Sequence, residues 1–317
     1  MKNKLIPLLF VFAITACSSN AAMSSKFFCF DTVIETHLYE GNKNDIEEIE
    51  DIYSYYSKVS DNYQSSDITN VYSINNTNDV LQIDKKLYDM LKVSFDLNKG
   101  GLSYFNPLCG SLAKKWKEAL KNKQILDENV KNEEILKINN SSISFLEDHK
   151  IQRSGEAEID LGAIAKGYVL DEVKEYLDSK EYKNYLINGG FSSILLGEKK
   201  SKDGLFSVGL NDVTNGYLKL KNTFVSTSSK SVQGVLIDNV TYSHIVNPIN
   251  GSAINENDAV IVLSNSGYIG DALSTSMMLN TVDEIKELEN KYEVKTIVIK
   301  DKKIIYHHPD VEVLYHS

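Results

Sequence analysis

The sequence predicts an α+β fold, a single domain in which a mostly antiparallel sheet is flanked by helices. Apolar residues at helical spacing dominate the chain before residue 140, whereas short β-branched runs separated by turn residues dominate after it. Segregated helices and strands are typical of α+β domains rather than of alternating α/β folds. No repeat of fixed period and no long linker divides the 317 residues, so one domain is expected.

The N-terminus is predicted to be a lipoprotein signal peptide, residues 1–16. Lys2 and Lys4 precede an apolar run at 5–13 that is too short for a comfortable membrane span. Cys17 directly follows Ile-Thr-Ala, which resembles a bacterial lipobox, so cleavage before Cys17 and lipidation of its thiol are expected. This predicts a lipid-anchored protein on the extracytoplasmic face of a cell membrane. An ordinary signal peptide with a chance cysteine stays the alternative.

The small polar residues 17–26 are expected to form a tether, and residues 27–317 the folded domain. The first part of that domain is predicted to be largely helical. Ile46, Ile49, Tyr53 and Tyr56 show the helical spacing on which this depends. The expected elements are a strand region at 27–40, helices at 42–59, 84–98, 112–121 and 132–138, and a polar loop at 61–78.

Short strands with turn residues between them characterise the second part. A strand, a tight turn and a second strand are expected over 185–197, with the turn at Asn188-Gly189-Gly190. Asp238-Asn239 is expected to turn a second hairpin. The remaining predictions are helices at 160–179 and 270–291 and strands at 143–146, 150–153, 205–210, 217–219, 223–226, 234–237, 240–245, 259–264, 296–300 and 303–307.

Charge and cysteine content exclude some classes of function. The formal charge is −10, which disfavours nucleic acid as a partner because phosphate backbones bind basic surfaces. Cys29 and Cys109 could form a disulfide in an exported protein, but two buried free thiols are the favoured interpretation. No Cys/His spacing typical of a zinc site occurs.

The segment 159–173 has features of an anion site. Asp160 could simply cap a helix, but a cap does not explain Gly162 and Gly167. A glycine inside a helix costs about 1 kcal/mol, so its presence predicts close approach of another group. A helix N-terminus carrying Lys166 suits anionic oxygens. The segment therefore predicts a phosphate site that is not a Walker loop.

The segment 270–280 has the pattern of a magnesium site. Asp271, Ser274 and Thr275 stand at i, i+3 and i+4, so they share one face of a helix. A carboxylate with hydroxyls suits Mg²⁺, which takes oxygen ligands and keeps water or phosphate in its shell. The alternative is a helix cap with ordinary polar neighbours. We expect the Asp271 carboxylate to face solvent.

His244 stands in the segment 243–254 and is a candidate base. Its ordinary pKa near ~6.5 suits proton transfer at neutral pH. The competing interpretation is a core or turn histidine, because Asn247-Pro248 and Asn250-Gly251 are turn sequences. Similarly, Gly189-Gly190 could serve a site or merely a hairpin turn.

Four motifs in this order resemble the ApbE family of flavin transferases. They are D-x-G-x-x-A-K-G-Y from Asp160, N-G-G from Asn188, H-I-V-N-P from His244 and D-A-L-S-T from Asp271. The resemblance covers about residues 30–275 and implies an ApbE, T-fold-like domain that transfers FMN from FAD to a Thr or Ser hydroxyl of a target protein, Mg²⁺-dependently, releasing AMP. The implied partners are FAD and a redox or electron-transfer protein. The alternative is a surface lipoprotein that binds or hydrolyses FAD without a protein acceptor.

The resemblance also assigns roles to residues. It implies His244 and Asp271 as catalytic residues, with the carbonyl of Ala163 and the side chains of Asp271 and Thr275 as metal ligands. Departures from the family pattern are Asn106 in place of Asp, and Asp31 and Ser229 in place of Gly. The implied flavin-nucleotide contacts are Phe30, Tyr63, Tyr104, Phe105, Asn106, Asp160, Lys166, Ile245 and Ser274.

Overall fold

The computed structural model describes residues 22–210, 215–231 and 234–315. The predicted signal peptide and Cys17 lie outside the described residues. Within the described ranges, no helix combines the length and the apolar character needed to cross a membrane.

Strands and helices follow one another in the described chain in the expected α+β order. The strands are β1 (Met23–Cys29), β2 (Thr32–Leu38), β3 (Val80–Gln82), β4 (Ser142–Leu146), β5 (Lys150–Ser154), β6 (Tyr185–Asn188), β7 (Ser193–Leu196), β8 (Phe206–Gly209), β9 (Gly216–Leu220), β10 (Thr223–Ser229), β11 (Val235–Ile237), β12 (Val240–Tyr242), β13 (Ala259–Ser264), β14 (Lys295–Lys300), β15 (Lys303–His307) and β16 (Leu314–Tyr315). The helices are α1 (Lys43–Ser60), α2 (Val71–Asn75), α3 (Lys85–Lys99), α4 (Gly110–Lys121), α5 (Glu128–Asn139), α6 (Ala165–Ser179), α7 (Gly267–Met277) and α8 (Val282–Tyr292).

An antiparallel sheet of eight strands organises the described part, in the order β1-β2-β6-β7-β10-β13-β14-β15. Successive side chains of a strand point to opposite faces, and β6 shows this directly. Ile187 joins the main core on the helical face, with Ile34 and Tyr53, whereas Leu186 joins a second cluster with Phe206. The sheet is therefore buried on both faces, by helices on one side and by β8 and β9 on the other.

The structure differs from the predicted elements near the N-terminus and in the region 270–291. β1 begins at Met23 and pairs with β2 as far as Leu38, so the last residues of the expected tether belong to the sheet. The single helix expected at 270–291 is two helices, α7 and α8. They are separated because Thr281 and Glu284 form a capping box that starts α8.

Three local differences concern the region around the site. The expected loop at 61–78 contains α2, because the Asn70 side chain accepts a hydrogen bond from Ser73 N and caps it. Strand β3 was not predicted. The helix expected from residue 160 begins at Ala165, so residues 160–164 form an approach to it that includes a turn at 162–164. The hairpin turn at Asp238-Asn239 is confirmed, with φ values of 48° and 65°.

The two described cysteines do not form a disulfide. Both Cys29 and Cys109 are free thiols, as predicted. Cys29 is buried, whereas Cys109 is only partly buried and differs from the prediction in that respect.

Candidate functional site

One cavity of about 790 Å³ gathers nearly all of the predicted site residues. It lies between the β1–β2 turn, the start of α6, the end of β10, α7 and residues 244–246. Tyr63 is the predicted residue in the described ranges that does not line it. The predicted residues on the cavity wall are Phe30, Tyr104, Phe105, Asn106, Asp160, Ala163, Lys166, His244, Ile245, Asp271, Ser274 and Thr275.

The approach to α6 is held by backbone contacts with the segment 104–107. Asp160 N donates to Pro107 O at 2.8 Å, which joins the approach to the turn carrying Tyr104 and Phe105. The Asp160 carboxylate accepts a hydrogen bond from Gly162 N at 2.6 Å, so it shapes the turn before the helix and does not cap the helix itself. The alternative interpretation of Asp160 as an ordinary N-cap is therefore wrong.

Asp271 lies at the buried end of the cavity. Its side chain is held by three donors: Ser193 Oγ at 2.8 Å, Ser226 Oγ at 2.7 Å and Gly167 N at 2.7 Å. Asp271 is 6% exposed, so the expectation of a solvent-facing carboxylate is wrong. Burial raises the pKa of Asp271, while the charge of Lys166 and these hydrogen bonds act in the opposite direction.

A group of hydroxyls continues from Asp271 along α7. Ser228 Oγ lies 2.9 Å from Ser274 Oγ and 3.2 Å from Thr275 Oγ1. Sequence reasoning missed the contributions of Ser193, Ser226 and Ser228. The available signal was the pair Ser192-Ser193 at the start of β7 and the three serines of β10. Ser193 and Ser226 stand directly opposite each other across this strand pair.

The oxygen ligands around Asp271 fit a hard divalent cation that is also bound by oxygens of the substrate. Among the described residues no group of three or more His, Cys, Asp or Glu could hold an ion. What α7 and the approach to α6 supply is one carboxylate, hydroxyls and the Ala163 backbone, all of which line the cavity. Mg²⁺ is usually bound by one or two carboxylates, with water and phosphate oxygens completing its shell. The predicted ligands therefore fit Mg²⁺ held together with a phosphate-containing substrate.

His244 lies just beyond β12, on the cavity wall. Its imidazole is open to the cavity but surrounded by protein, and this desolvation lowers its pKa to about 4, helped by the charges of Lys166 and Lys117. His244 is therefore neutral at pH 7 and able to accept a proton. The following residue is fixed by Ser243, whose Oγ accepts from Ile245 N at 3.0 Å, and by Asn255, which donates to Ile245 O.

Tyr63 is not among the residues that line the cavity, so the structure does not bring it together with the other predicted flavin-nucleotide contacts. It is 57% exposed, and its ring lies 4.9 Å from Lys114 Nζ and 4.8 Å from Lys117 Nζ. Both ammonium groups are attracted to the ring face, which holds Tyr63 on the surface of α4.

Two of the departures from the family pattern have structural explanations. Phe30 and Asp31 form the β1–β2 turn with φ values of 51° and 55°, a conformation that Asp tolerates better than most residues with a side chain. Asp31 therefore fills a position that glycine would also suit. Asn106 Oδ1 accepts from Leu108 N at 2.9 Å, so its acceptor oxygen is used within the turn.

Comparison with known proteins agrees with this geometry. The family model described as "ApbE family" matches residues 30–298. The FAD:protein FMN transferase of Klebsiella pneumoniae (strain 342) is 31% identical over 161 residues, covering 48% of this chain and 49% of that protein. The namesake from Treponema pallidum (strain Nichols) is 25% identical over 216 residues, covering 61% and 59%. The matched region thus spans about half the length of these curated relatives or slightly more.

Solved structures with the same fold cover nearly the whole chain. The ApbE protein from Thermotoga maritima superposes with a TM-score of 0.78 at 20% identity, covering 91% of this chain and 97% of its own. The flavin transferase ApbE from Vibrio cholerae gives a TM-score of 0.73 at 19% identity, covering 90% and 97%. These similarities confirm the predicted α+β fold.

Proposed function

The chain belongs to the ApbE family, and from this premise we propose that it is a FAD:protein FMN transferase. It transfers FMN from FAD to a Thr or Ser hydroxyl of a target protein and releases AMP. The observation that carries the proposal is the convergence of the α6 approach and α7 on one cavity, where Gly167 N and Asp271 Oδ2 lie 2.7 Å apart.

In this reaction the acceptor oxygen forms a bond to the FMN phosphorus of FAD, and the bond from that phosphorus to the AMP oxygen breaks. Positioning and charge neutralisation dominate phosphoryl transfer. Asp271, Thr275 and the Ala163 carbonyl would hold Mg²⁺, which when bound neutralises charge on the diphosphate oxygens. Lys166 adds a positive charge on the same wall.

His244 is the residue that we assign as general base. A base must be unprotonated and able to reach the acceptor hydroxyl. His244 is neutral above about pH 4 and opens to the cavity, whereas both carboxylate oxygens of Asp271 already accept hydrogen bonds. His244 therefore takes the proton of the acceptor hydroxyl, and Asp271 serves as a ligand.

The membrane anchor belongs to the same proposal. The Ile-Thr-Ala-Cys sequence ending at Cys17 supports cleavage and lipidation, which would hold the enzyme on the extracytoplasmic face. The acceptor is then a protein on the same side of the membrane, and the redox chemistry of flavin indicates an electron-transfer protein.

The proposal is tested by incubating the protein with FAD, Mg²⁺ and a candidate acceptor protein. AMP release together with a fluorescent acceptor band on a denaturing gel is the expected result. AMP release at the same rate without an acceptor would instead show FAD hydrolysis. Tight FAD binding with no AMP release would show a flavin carrier.

A further inference from the structure

Helices α6 and α7 begin with related sequences. Residues 167–171 read Gly-Tyr-Val-Leu-Asp and residues 267–271 read Gly-Tyr-Ile-Gly-Asp. A glycine and an aspartate four residues apart lie on one face of a helix. The two helices therefore present the same pair of residue types, and the structure places these faces against each other.

The two aspartates cap each other's helices. Asp171 of α6 accepts from Gly267 N at 2.9 Å and Tyr268 N at 2.8 Å, and Asp271 of α7 accepts from Gly167 N at 2.7 Å. The residues that precede the helices, Ile164 and Ser266, make no side-chain cap of their own. The N–H groups that a helix start leaves unpaired are thus satisfied by the carboxylate of the neighbouring helix.

The glycines allow the helices to touch. A Cβ on Gly167 would lie 2.1 Å from Gly267 O, and a Cβ on Gly267 would lie 2.2 Å from Gly167 O. Backbone thus meets backbone at the crossing, with one carboxylate on each side of it. This contact defines both the rotation of α7 about its axis and its position along α6.

The two carboxylates differ in one respect: Asp271 lines the cavity and Asp171 is not part of its wall. We propose that Asp171 is a positioning residue that holds Asp271 in its ligand position by fixing the first turn of α7. This inference rests on the proposed function. It assigns to a residue outside the cavity a part in metal and flavin-nucleotide binding.

The coupling follows from helix geometry. Asp171 holds residues 266–268, and Asp271 comes about 4.5 Å further along the axis at 1.5 Å per residue. Ser274 and Thr275 follow on the next turn. If the first turn rotates or slips, these three side chains move together, away from the Ala163 backbone just before α6.

The test is Asp171→Asn in the full chain. The amide nitrogen of Asn cannot accept a hydrogen bond, so at least one bond to the start of α7 is lost. Calorimetric titration with Mg²⁺ in the presence of FAD should show about 10-fold weaker metal binding, as expected when a residue supporting a ligand is changed. Turnover should recover as the Mg²⁺ concentration is raised.

A second readout needs neither metal nor FAD. The Gly167 amide donates to Asp271, so its hydrogen exchange reports whether that carboxylate is in place. In Asp171→Asn it should exchange at least about 10-fold faster. Asp178→Asn is the matched control, because Asp178 also lies on α6 but forms a surface ion pair with Lys174. The control should match wild type in both measurements.

The outcomes separate this inference from the proposed function. Wild-type metal affinity and wild-type Gly167 exchange in Asp171→Asn would overturn the inference, even if the melting temperature fell. A wild-type protein that binds no FAD with Mg²⁺ would overturn the proposed function, while Gly167 exchange would still test the coupling. If Asp171→Asn does not fold, Ser266→Ala is the replacement test, because it is the smaller change. It removes only the hydrogen bond of 3.1 Å from Ser266 Oγ to Asp171. Unchanged Gly167 exchange in that variant contradicts the inference, and faster exchange supports it.

Discussion

Asn75 and Ile159 exchange two hydrogen bonds although 84 residues separate them in the chain. Asn75 Nδ2 donates to Ile159 O at 2.9 Å, and Ile159 N donates to Asn75 Oδ1 at 2.7 Å. Arg153 reinforces the same place by donating to the carbonyls of residues on both segments, including Asn75 and Ala157. These contacts fix the backbone immediately before Asp160 and therefore the approach to α6.

Asn75→Asp should weaken flavin-nucleotide binding. The carboxylate cannot donate to Ile159 O, which leaves that carbonyl unpaired at a cost of about 1–3 kcal/mol in the free energy of unfolding. Displacement of Asp160 should also raise the dissociation constant for FAD about 10-fold, measured by titration of flavin fluorescence. Asn76→Asp is the control, since Asn76 donates to Tyr72 O on the surface. Equal FAD affinity in the two variants would contradict this role.

Asp271→Ala should abolish Mg²⁺-dependent transfer and also destabilise the protein. The buried donors Ser193 Oγ, Ser226 Oγ and Gly167 N lose their acceptor, so the free energy of unfolding should fall by about 2–4 kcal/mol. Urea unfolding and AMP release measure the two effects. Asp283→Ala removes a carboxylate that is 92% exposed and should change neither. Full activity of Asp271→Ala would refute the metal assignment.

Gly167→Ala and Gly162→Ala should behave differently. At Gly167 the new Cβ would meet the Gly267 carbonyl at 2.1 Å, so the α6–α7 crossing must open and the protein should lose more than about 3 kcal/mol or not fold. At Gly162 the nearest atom would be Asp160 Oδ1 at 3.0 Å, on a side chain that can adjust. Thermal unfolding of the two variants measures the difference. Equal melting temperatures would contradict the close backbone contact between α6 and α7.

The protonation of His244 should contribute to the loss of both activity and folding stability at low pH. Its pKa is about 4 in the folded protein and 6.5 ordinarily, so the folded state binds fewer protons than the unfolded state between these values. The contribution of neutral His244 to the free energy of unfolding is therefore fully present above pH 6.5 and is lost as the pH falls towards 4. Urea unfolding at pH 7.5 and pH 4.5 should show a smaller loss of stability in His244→Gln than in wild type.

The kinetic counterpart concerns kcat/KM. If neutral His244 is the base, the profile should stay flat from about pH 8 down to about pH 5, and His244→Gln should lower kcat by about 100-fold or more. Wild-type kcat in His244→Gln, or an acid limb that persists unchanged in that variant, would assign the proton transfer to another group.

Cys17→Ala should release the protein from membranes. Without the thiol no lipid can be attached, and the apolar run ahead of it is too short to span a bilayer by itself. Fractionation of cells followed by immunoblotting measures the distribution. Cys29→Ala is the control, because Cys29 is a buried thiol within β1. If Cys17→Ala sediments with membranes as the wild type does, the proposed lipid anchor at Cys17 is wrong.

Local pattern predicted much of the secondary structure, and it failed where tertiary contacts define the element. The alternation in β2 and the helical spacing in α1 could be read directly, because each depends on residues close in sequence. The start of α6 could not, because the backbone that leads into it is held by distant residues. Ile159 bonds to Asn75, and Asp160 N donates to Pro107 O. The break between α7 and α8 was readable in principle from Thr281 and Glu284.

By itself the sequence determined the fold class, the family resemblance and the residue types that surround the cavity, because motifs and periodicity are properties of neighbouring residues. Only the tertiary structure decided that Asp271 is buried, that Gly167 makes room for Gly267, and that serines of β7 and β10 hold the carboxylate. Those facts depend on strand order and on a helix crossing. Both bring together residues far apart in the chain, and their free energy comes from contacts that no local window contains.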